Sequence, residues 1–219
     1  MSGPAATPSP AVVAVGSGRG WAYRTAWLVL PAADDPTVVR LLGLHQATGA
    51  DWADGLDAVS GDREGHLVLV TPSVEARRYA VGSLAVFEDL LGSLLASDSG
   101  PLQAMADGLG GEVQFFASHP GADVYAWARL EPGGAHRFVV TSADDGVAVS
   151  GTATDIEETL GVDLITGDTD DDLDLIDDLV DETTVFAVAR SWSIDPSTFE
   201  DDRGDHGPAL LGRRDSPAS

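Results

Sequence analysis

The chain has 219 residues, no Cys, 36 acidic against 12 basic residues and a formal net charge of −24. All 12 bases are Arg, and Lys and Asn are absent. Zero Cys excludes a disulfide scaffold, a thiol nucleophile and Cys-ligated zinc or iron–sulfur sites, and zero Lys excludes Schiff-base chemistry and the lysine of a nucleotide-binding P-loop.

The length suits one domain or at most two small ones, able to bury roughly 70% of the unfolded surface without a disulfide or metal. The 43% hydrophobic content agrees with a folded core. No apolar stretch approaches the roughly 20 residues that a membrane span needs. The run Ala11–Val15 is too short for a signal-peptide core and no base precedes it, so the cytoplasm is the expected compartment.

Taken in chain order, residues 1–18 read as a disordered lead-in. At its end, Gly16-Ser17-Gly18-Arg19-Gly20 lacks the spacing of a nucleotide fingerprint, so it reads as a flexible approach to the first strand. Tyr23–Leu30 is β-rich, with Trp21 and Trp27 as anchors. Asp35-Pro36 suggests an N-cap followed by Pro at the first helical position, with Val38, Val39, Leu41 and Leu42 as the apolar face. Trp52, Leu56 and Val59 fall at i, i+4 and i+7 and predict a short helix. His66–Thr71 and Tyr79–Val86 suit a hairpin.

Phe87, Leu90, Leu91, Leu94 and Leu95 match the helical template. A second helix with Leu102, Met105, Ala106 and Leu109 follows and ends at Gly110-Gly111. Four strand-like runs at 112–118, 123–131, 136–142 and 147–150 are punctuated by His119-Pro120-Gly121, Pro132-Gly133-Gly134 and Asp144-Asp145-Gly146, which predicts an antiparallel meander. Thr154-Asp155-Ile156-Glu157 has the capping-box form and should open a short helix. In 180–192, Val185, Val188, Ala189 and Trp192 fit a helix face while Thr183-Thr184-Val185-Phe186 favours a strand; the helix is preferred.

The expected fold class is therefore α+β, a mainly antiparallel sheet around the 112–150 meander with short helices packed against it. The expected organisation is a single domain over 19–199 with an acidic segment at 163–182, then a disordered tail over 200–219.

The charge is uneven. Residues 138–189 hold 15 acids and no base, whereas 1–137 hold 15 acids and 8 Arg, and 190–219 hold 6 acids and 4 Arg. Such a field repels phosphates and anionic lipid heads, so neither nucleic acid nor a membrane is an expected partner; a basic protein is. Asp168-Thr169-Asp170-Asp171-Asp172 begins like a calcium loop, but Leu173 stands at the sixth position and Leu179 at the twelfth, so it is not an EF-hand. Asp alternating with Leu and Ile argues against a purely solvated tract, since its aliphatics must pack on the domain or face a partner.

The remaining chemistry-bearing residues are sparse. His119 stands at a strand end near Glu112 and Asp123, where acid–base work or a simple turn contact are both open. Tyr125, Trp127 and Arg129 share a strand face by period two and can stack on and hydrogen-bond a ligand, or serve as core with a snorkelling Arg. His45, His66, His136 and His206 form no metal-ligand pattern, no G-x-S-x-G elbow occurs, and Arg203-Gly204-Asp205 is a chance match to an adhesion tripeptide.

Residues 111–119 (GEVQFFASH), Trp127-Ala128-Arg129 and Trp192–Phe199 resemble two segments of an uncharacterised actinobacterial protein family. The resemblance implies a bacterial, cytoplasmic origin and brings no activity; the Asp-rich part departs from the family's pattern.

The leading expectation is a non-enzymatic interaction protein, immunity- or inhibitor-like, that binds a basic protein through Asp170, Asp171, Asp172, Asp174, Leu175, Asp177, Asp178 and Leu179, with no metal and no cofactor. The first alternative is a small-ligand enzyme or sensor with a site on the 112–142 meander at His119, Trp127 and Arg129. The second is a solvated structural domain without a dedicated site. Oligomeric state stays open.

Overall fold

A computed structural model describes residues 25–71, 76–165, 179–193 and 208–215. Nine strands form one open sheet: β1 (Thr25–Pro31), β2 (Leu44–Ala50), β3 (Leu67–Val70), β4 (Arg77–Ser83), β5 (Val113–His119), β6 (Val124–Leu130), β7 (His136–Ser142), β8 (Gly146–Ser150) and β9 (Ala209–Arg214). The helices are α1 (Asp35–Leu41), α2 (Trp52–Gly61), α3 (Glu88–Leu95), α4 (Gly100–Leu109), α5 (Asp155–Leu160) and α6 (Glu182–Trp192). The strand order is β2-β9-β3-β4-β1-β5-β6-β7-β8, with every neighbouring pair antiparallel. The α+β class with an antiparallel sheet and short helices is what the residue pattern called for.

Helices cover both faces. On one, Ala26, Leu28, Leu30, Phe115 and Phe138 pack with Val38 of α1, Leu90 and Leu94 of α3, and Leu102 and Ala106 of α4. On the other, Trp27, Phe116, Trp127 and Val139 pack with Leu56 and Val59 of α2, Ile156 of α5, and Val185, Phe186 and Ala189 of α6. Trp27 stacks between Phe116 at 5.1 Å and Phe186 at 5.8 Å. Two covered faces explain the almost unbroken apolar runs of β1, β5 and β6, because neither alternating set of side chains reaches water.

The hairpin β3–β4, the meander β5–β8 and helices α2 to α6 lie where residue pattern and turn chemistry put them. Gly110 ends α4 with φ 66°. At α5, the Thr154 backbone N–H donates to Glu157 Oε2 at 2.8 Å in the capping box. Gly151 lets the chain cross the start of β7: its φ is +81°, and a Cβ there would come within 2.1 Å of the His136 carbonyl oxygen.

Three expectations change. The cap of α1 is Asp34, whose side chain accepts from the Thr37 backbone N–H at 2.9 Å; Pro36 is then the second helical residue. Leu44–Ala50 forms the outer strand β2, which its mixed sequence did not announce. The expected disordered tail over 200–219 supplies β9, an interior strand paired with β2 on one side and β3 on the other, so the domain does not stop at 199. Backbone pairing on two sides compensates for its modest apolar content. Arg214 then clamps its end, donating to both Asp89 carboxylate oxygens at 2.8 and 2.7 Å and to the Leu42 and Val86 carbonyls. The lead-in over 1–18 lies outside the described residues.

Candidate functional site

Asp170, Asp171, Asp172, Asp174, Leu175, Asp177 and Asp178 fall within 166–178 and lie outside the described residues. The flanks of that stretch are described. Ile165 before it is 1% exposed and Val180 after it is 5% exposed, and both sit in the core beneath α5 and α6. The acidic stretch therefore leaves and re-enters one packed layer. Leu179 is half-buried against the same core, so this aliphatic packs on the domain. Leu164 is 58% exposed and is the exposed large hydrophobic among the described residues. Asp155, Glu158 and Asp181, on or next to α5 and α6, are exposed as well. The nearest Arg upstream, Arg137, is buried and bonded to Glu157, so it does not offset this charge.

His119, Trp127 and Arg129 do not converge. Trp127 is 0% exposed, and its Nε1–H donates to Glu157 Oε1 at 2.8 Å. Glu157, also 0% exposed, accepts from Arg137 Nε at 2.8 Å, and its other oxygen accepts from the Thr154 hydroxyl at 2.7 Å. That network ties α5 to the sheet and leaves the indole no role at a surface. Arg129 opposes Gln114, whereas His119 opposes Val124. Five positions of antiparallel strand separate them by about 17 Å.

Arg129 belongs to a polar cluster at the other end of the sheet. Its Nε donates to Glu112 Oε2, and Glu112 also accepts from Gln114 Nε2 at 2.6 Å and pairs with Arg77 at 3.6 Å. Arg77 reaches the Trp192 carbonyl at 3.3 Å, and Ser193 Oγ donates to Gln114 Oε1 at 2.7 Å. These bonds satisfy the last turn of α6.

His119 instead lines a cleft of about 800 Å³. Its walls are Leu56, Val59 and Ser60 of α2, the turn Asp62–Gly65, and Val81–Ala85; Thr25 joins His119 at its end. The floor continues a row of hydroxyls set by register. Ser83 opposes Thr25, Thr25 opposes Ser118, Ser118 opposes Tyr125 and Tyr125 opposes Thr141. Directly opposed residues share a face, so five adjacent strands present hydroxyls side by side. Glu182 of α6 meets this row, accepting from Ser118 Oγ at 3.4 Å. Burial pushes its carboxyl above the ordinary range and Asp181 adds to that, while the Ser118 bond opposes. No spacing rule for a single strand would have found this row, because it exists only in the register between strands.

The described residues of the cleft hold no preformed nucleophile–base pair. Ser83 Oγ and His119 Nδ1 are buried without hydrogen-bond partners, so they do not form a serine–histidine pair. Asp62 is fully engaged, accepting from the backbone N–H groups of Glu64, His66 and Leu67 at 3.2, 2.7 and 2.7 Å. Burial raises its carboxyl, but the backbone donors of Leu67, His66, Glu64 and Gly65 outweigh it and hold the group below the usual range. Among the described residues, no group of three or more His, Asp or Glu side chains is placed to hold a metal, and no helix is long and apolar enough to cross a membrane.

Comparison with protein-family models, curated proteins and solved structures finds no match. The resemblance of residues 111–119, 127–129 and 192–199 to an actinobacterial family thus contributes nothing further to the functional reading.

Proposed function

We propose that this chain is a non-enzymatic acidic interaction protein that binds a basic protein partner in the manner of immunity or inhibitor proteins. One observation carries the reading: residues 138–189 hold 15 acids and no base, and the anchored residues Ile165 and Val180 tether the Asp-rich part of that segment to one core. A tethered field of one sign accelerates encounter with an oppositely charged protein and suppresses wrong partners. Exposed Leu164 beside it offers apolar area that such a partner would cover. The catalytic alternative at His119, Trp127 and Arg129 loses support because Trp127 is core and Arg129 lies at the far end. A ligand-binding reading keeps one specific observation in its favour, the cleft beside Ser83 and His119.

The test is a paired capture from lysate. The parent chain and a variant with Asp170, Asp171, Asp172, Asp174, Asp177 and Asp178 all replaced by Asn are compared at about 50 mM and about 500 mM salt, where the screening length falls from over 10 Å to about 4 Å. A single stoichiometric basic protein, held by the parent, released by salt and lost from the variant, is the expected result. Equal retention by both chains at both salts, or only a diffuse set of basic proteins, refutes the reading and reduces the acidity to solubility.

A further inference from the structure

We propose that β8 is a receptor edge, at which an extended basic segment of a partner protein adds to the sheet as a further strand. The partner's charge rests on the functional reading above; the docking mode rests on the sheet.

An open sheet has two edges, and this one treats them differently. At β2 the ladder to β9 breaks between His45 and Thr48, and Gln46 takes the left-handed φ of 53°. Such a bulge twists the edge away from further pairing. β8 has no such device. Its ladder to β7 runs in unbroken register from Gly146 to Ser150, and its five residues GVAVS carry no charge and no proline. Among the described residues no strand pairs with its outer side. Natural edges are normally blunted by charge, proline, bulges or cover, so an uncharged regular edge is one that accepts a strand.

The surroundings select the occupant. Ala148 is buried towards α3 and α4, while Val147 and Val149 are half-buried on the opposite face and offer apolar contact to alternate residues of an added strand. Asp144 and Asp145 sit in the turn at one end of β8, and exposed Asp155 and Glu158 follow its other end. Arg137 on β7 is spent on buried Glu157. A strand carrying Arg or Lys meets Asp144 and Asp145 at the turn end and enters a stretch of chain that holds no base from 138 to 189. A second copy of this chain would instead set one acidic quarter against another, which disfavours edge-to-edge self-pairing.

The experiment uses the full chain, isotope-labelled for NMR, with a synthetic seven-residue peptide alternating lysine and valine as the probe. The expected result is that the amides of residues 146–150 shift and that their solvent exchange slows about tenfold or more. Replacing the peptide's central valine with proline should weaken binding by about tenfold, because a ladder donor is lost. A peptide alternating glutamate and valine should leave those amides unchanged. Peptide binding that leaves 146–150 unaffected overturns the proposal. So does uniformly slow exchange there before any peptide is added, which means that another part of this chain already pairs with the edge. Protection that rises with protein concentration alone assigns the edge to a second copy and also overturns it. The six-Asn variant separates the two readings. If β8 still responds to the peptide while partner capture ignores the Asp substitutions, the edge stands and the acidic-segment reading falls. If capture depends on those Asp residues and β8 stays silent, the reverse holds.

Discussion

Replacing Glu157 with Leu removes the acceptor at the centre of the buried network formed with Trp127, Arg137 and Thr154. The Glu157 side chain is 0% exposed and that of Arg137 6%, with 2.8 Å between Oε1 and Nε. Loss of one member of a buried ion pair leaves the other charge without compensation, at a cost of about 3–5 kcal/mol. Glu157 also accepts the Thr154 backbone N–H and hydroxyl at the start of α5, and that cap is worth about 1 kcal/mol more. With the buried Trp127 Nε1–H also left without its acceptor, at about 1–3 kcal/mol, the single substitution should cost about 5–9 kcal/mol, which in a domain of this size lowers Tm by about 10–30 °C. Arg137→Leu alone should cost about 3–5 kcal/mol, because it strands the carboxylate. The double Leu variant removes both charges and should cost about 2–4 kcal/mol, from the lost cap and the Trp127 Nε1–H left without its acceptor. Urea unfolding of the four proteins at pH 7 reads all three values. A cost under about 1 kcal/mol for Glu157→Leu, or a double variant that costs the sum of the singles, would refute the coupling, since additive effects mean uncoupled groups.

Two further outcomes follow from the fold. Ending the chain after residue 207 removes β9 and disconnects β2 from the sheet, so cooperative unfolding by circular dichroism should be lost; a sharp transition near the parent Tm would contradict the interior placement of β9. Glu182 carries a carboxyl raised by burial, so the folded state holds its proton more tightly than the unfolded chain does. Its contribution is fully present below the ordinary carboxylate range and is lost as pH rises through the raised value. Glu182→Gln should then be more stable than the parent at pH 7 and lose that advantage near pH 4; an equal Tm difference at both values would refute the assignment.

The meander was legible because Pro-Gly, Gly-Gly and Asp-Gly turns bound runs of β-branched and aromatic residues, and local turn chemistry there agrees with the tertiary pairing. Strands β2 and β9 were not legible, for a shared reason. LHQATGA and ALLGRR lack a sustained alternating pattern; β2 is held as strand by pairing with β9, and β9 by pairing with β2 and β3, rather than by their own propensity. One trace of β9 was present: Gly212 follows two leucines, and a Cβ there would come within 3.2 Å of the Leu44 Cβ, so the glycine admits the neighbouring strand. The candidate site was less legible still. Trp127 and Arg129 do share a face, as period two requires, but period two cannot tell a core face covered by α5 and α6 from an open one. The cleft at His119 depends on Ser83 and Thr25, which reach it only through long-range register.

The position of β9 also orders the assembly of the chain in time. β3, β4, β1 and β5 to β8 can pair as soon as residue 150 has been synthesised, leaving β3 as a raw edge and β2 with no neighbour. Residues 209–214 must then arrive and slot between those two, closing contacts across 140 to 146 positions of chain to β3 and 159 to 170 to β2. Contacts so distant in sequence are slow to form, and the waiting intermediate exposes strand edges that invite aggregation. A nascent chain that already carries the excess of acids between residues 138 and 189 repels other copies of itself during that interval. The same charge that is proposed to draw a basic partner to the finished fold thus shields the unfinished one from its own kind.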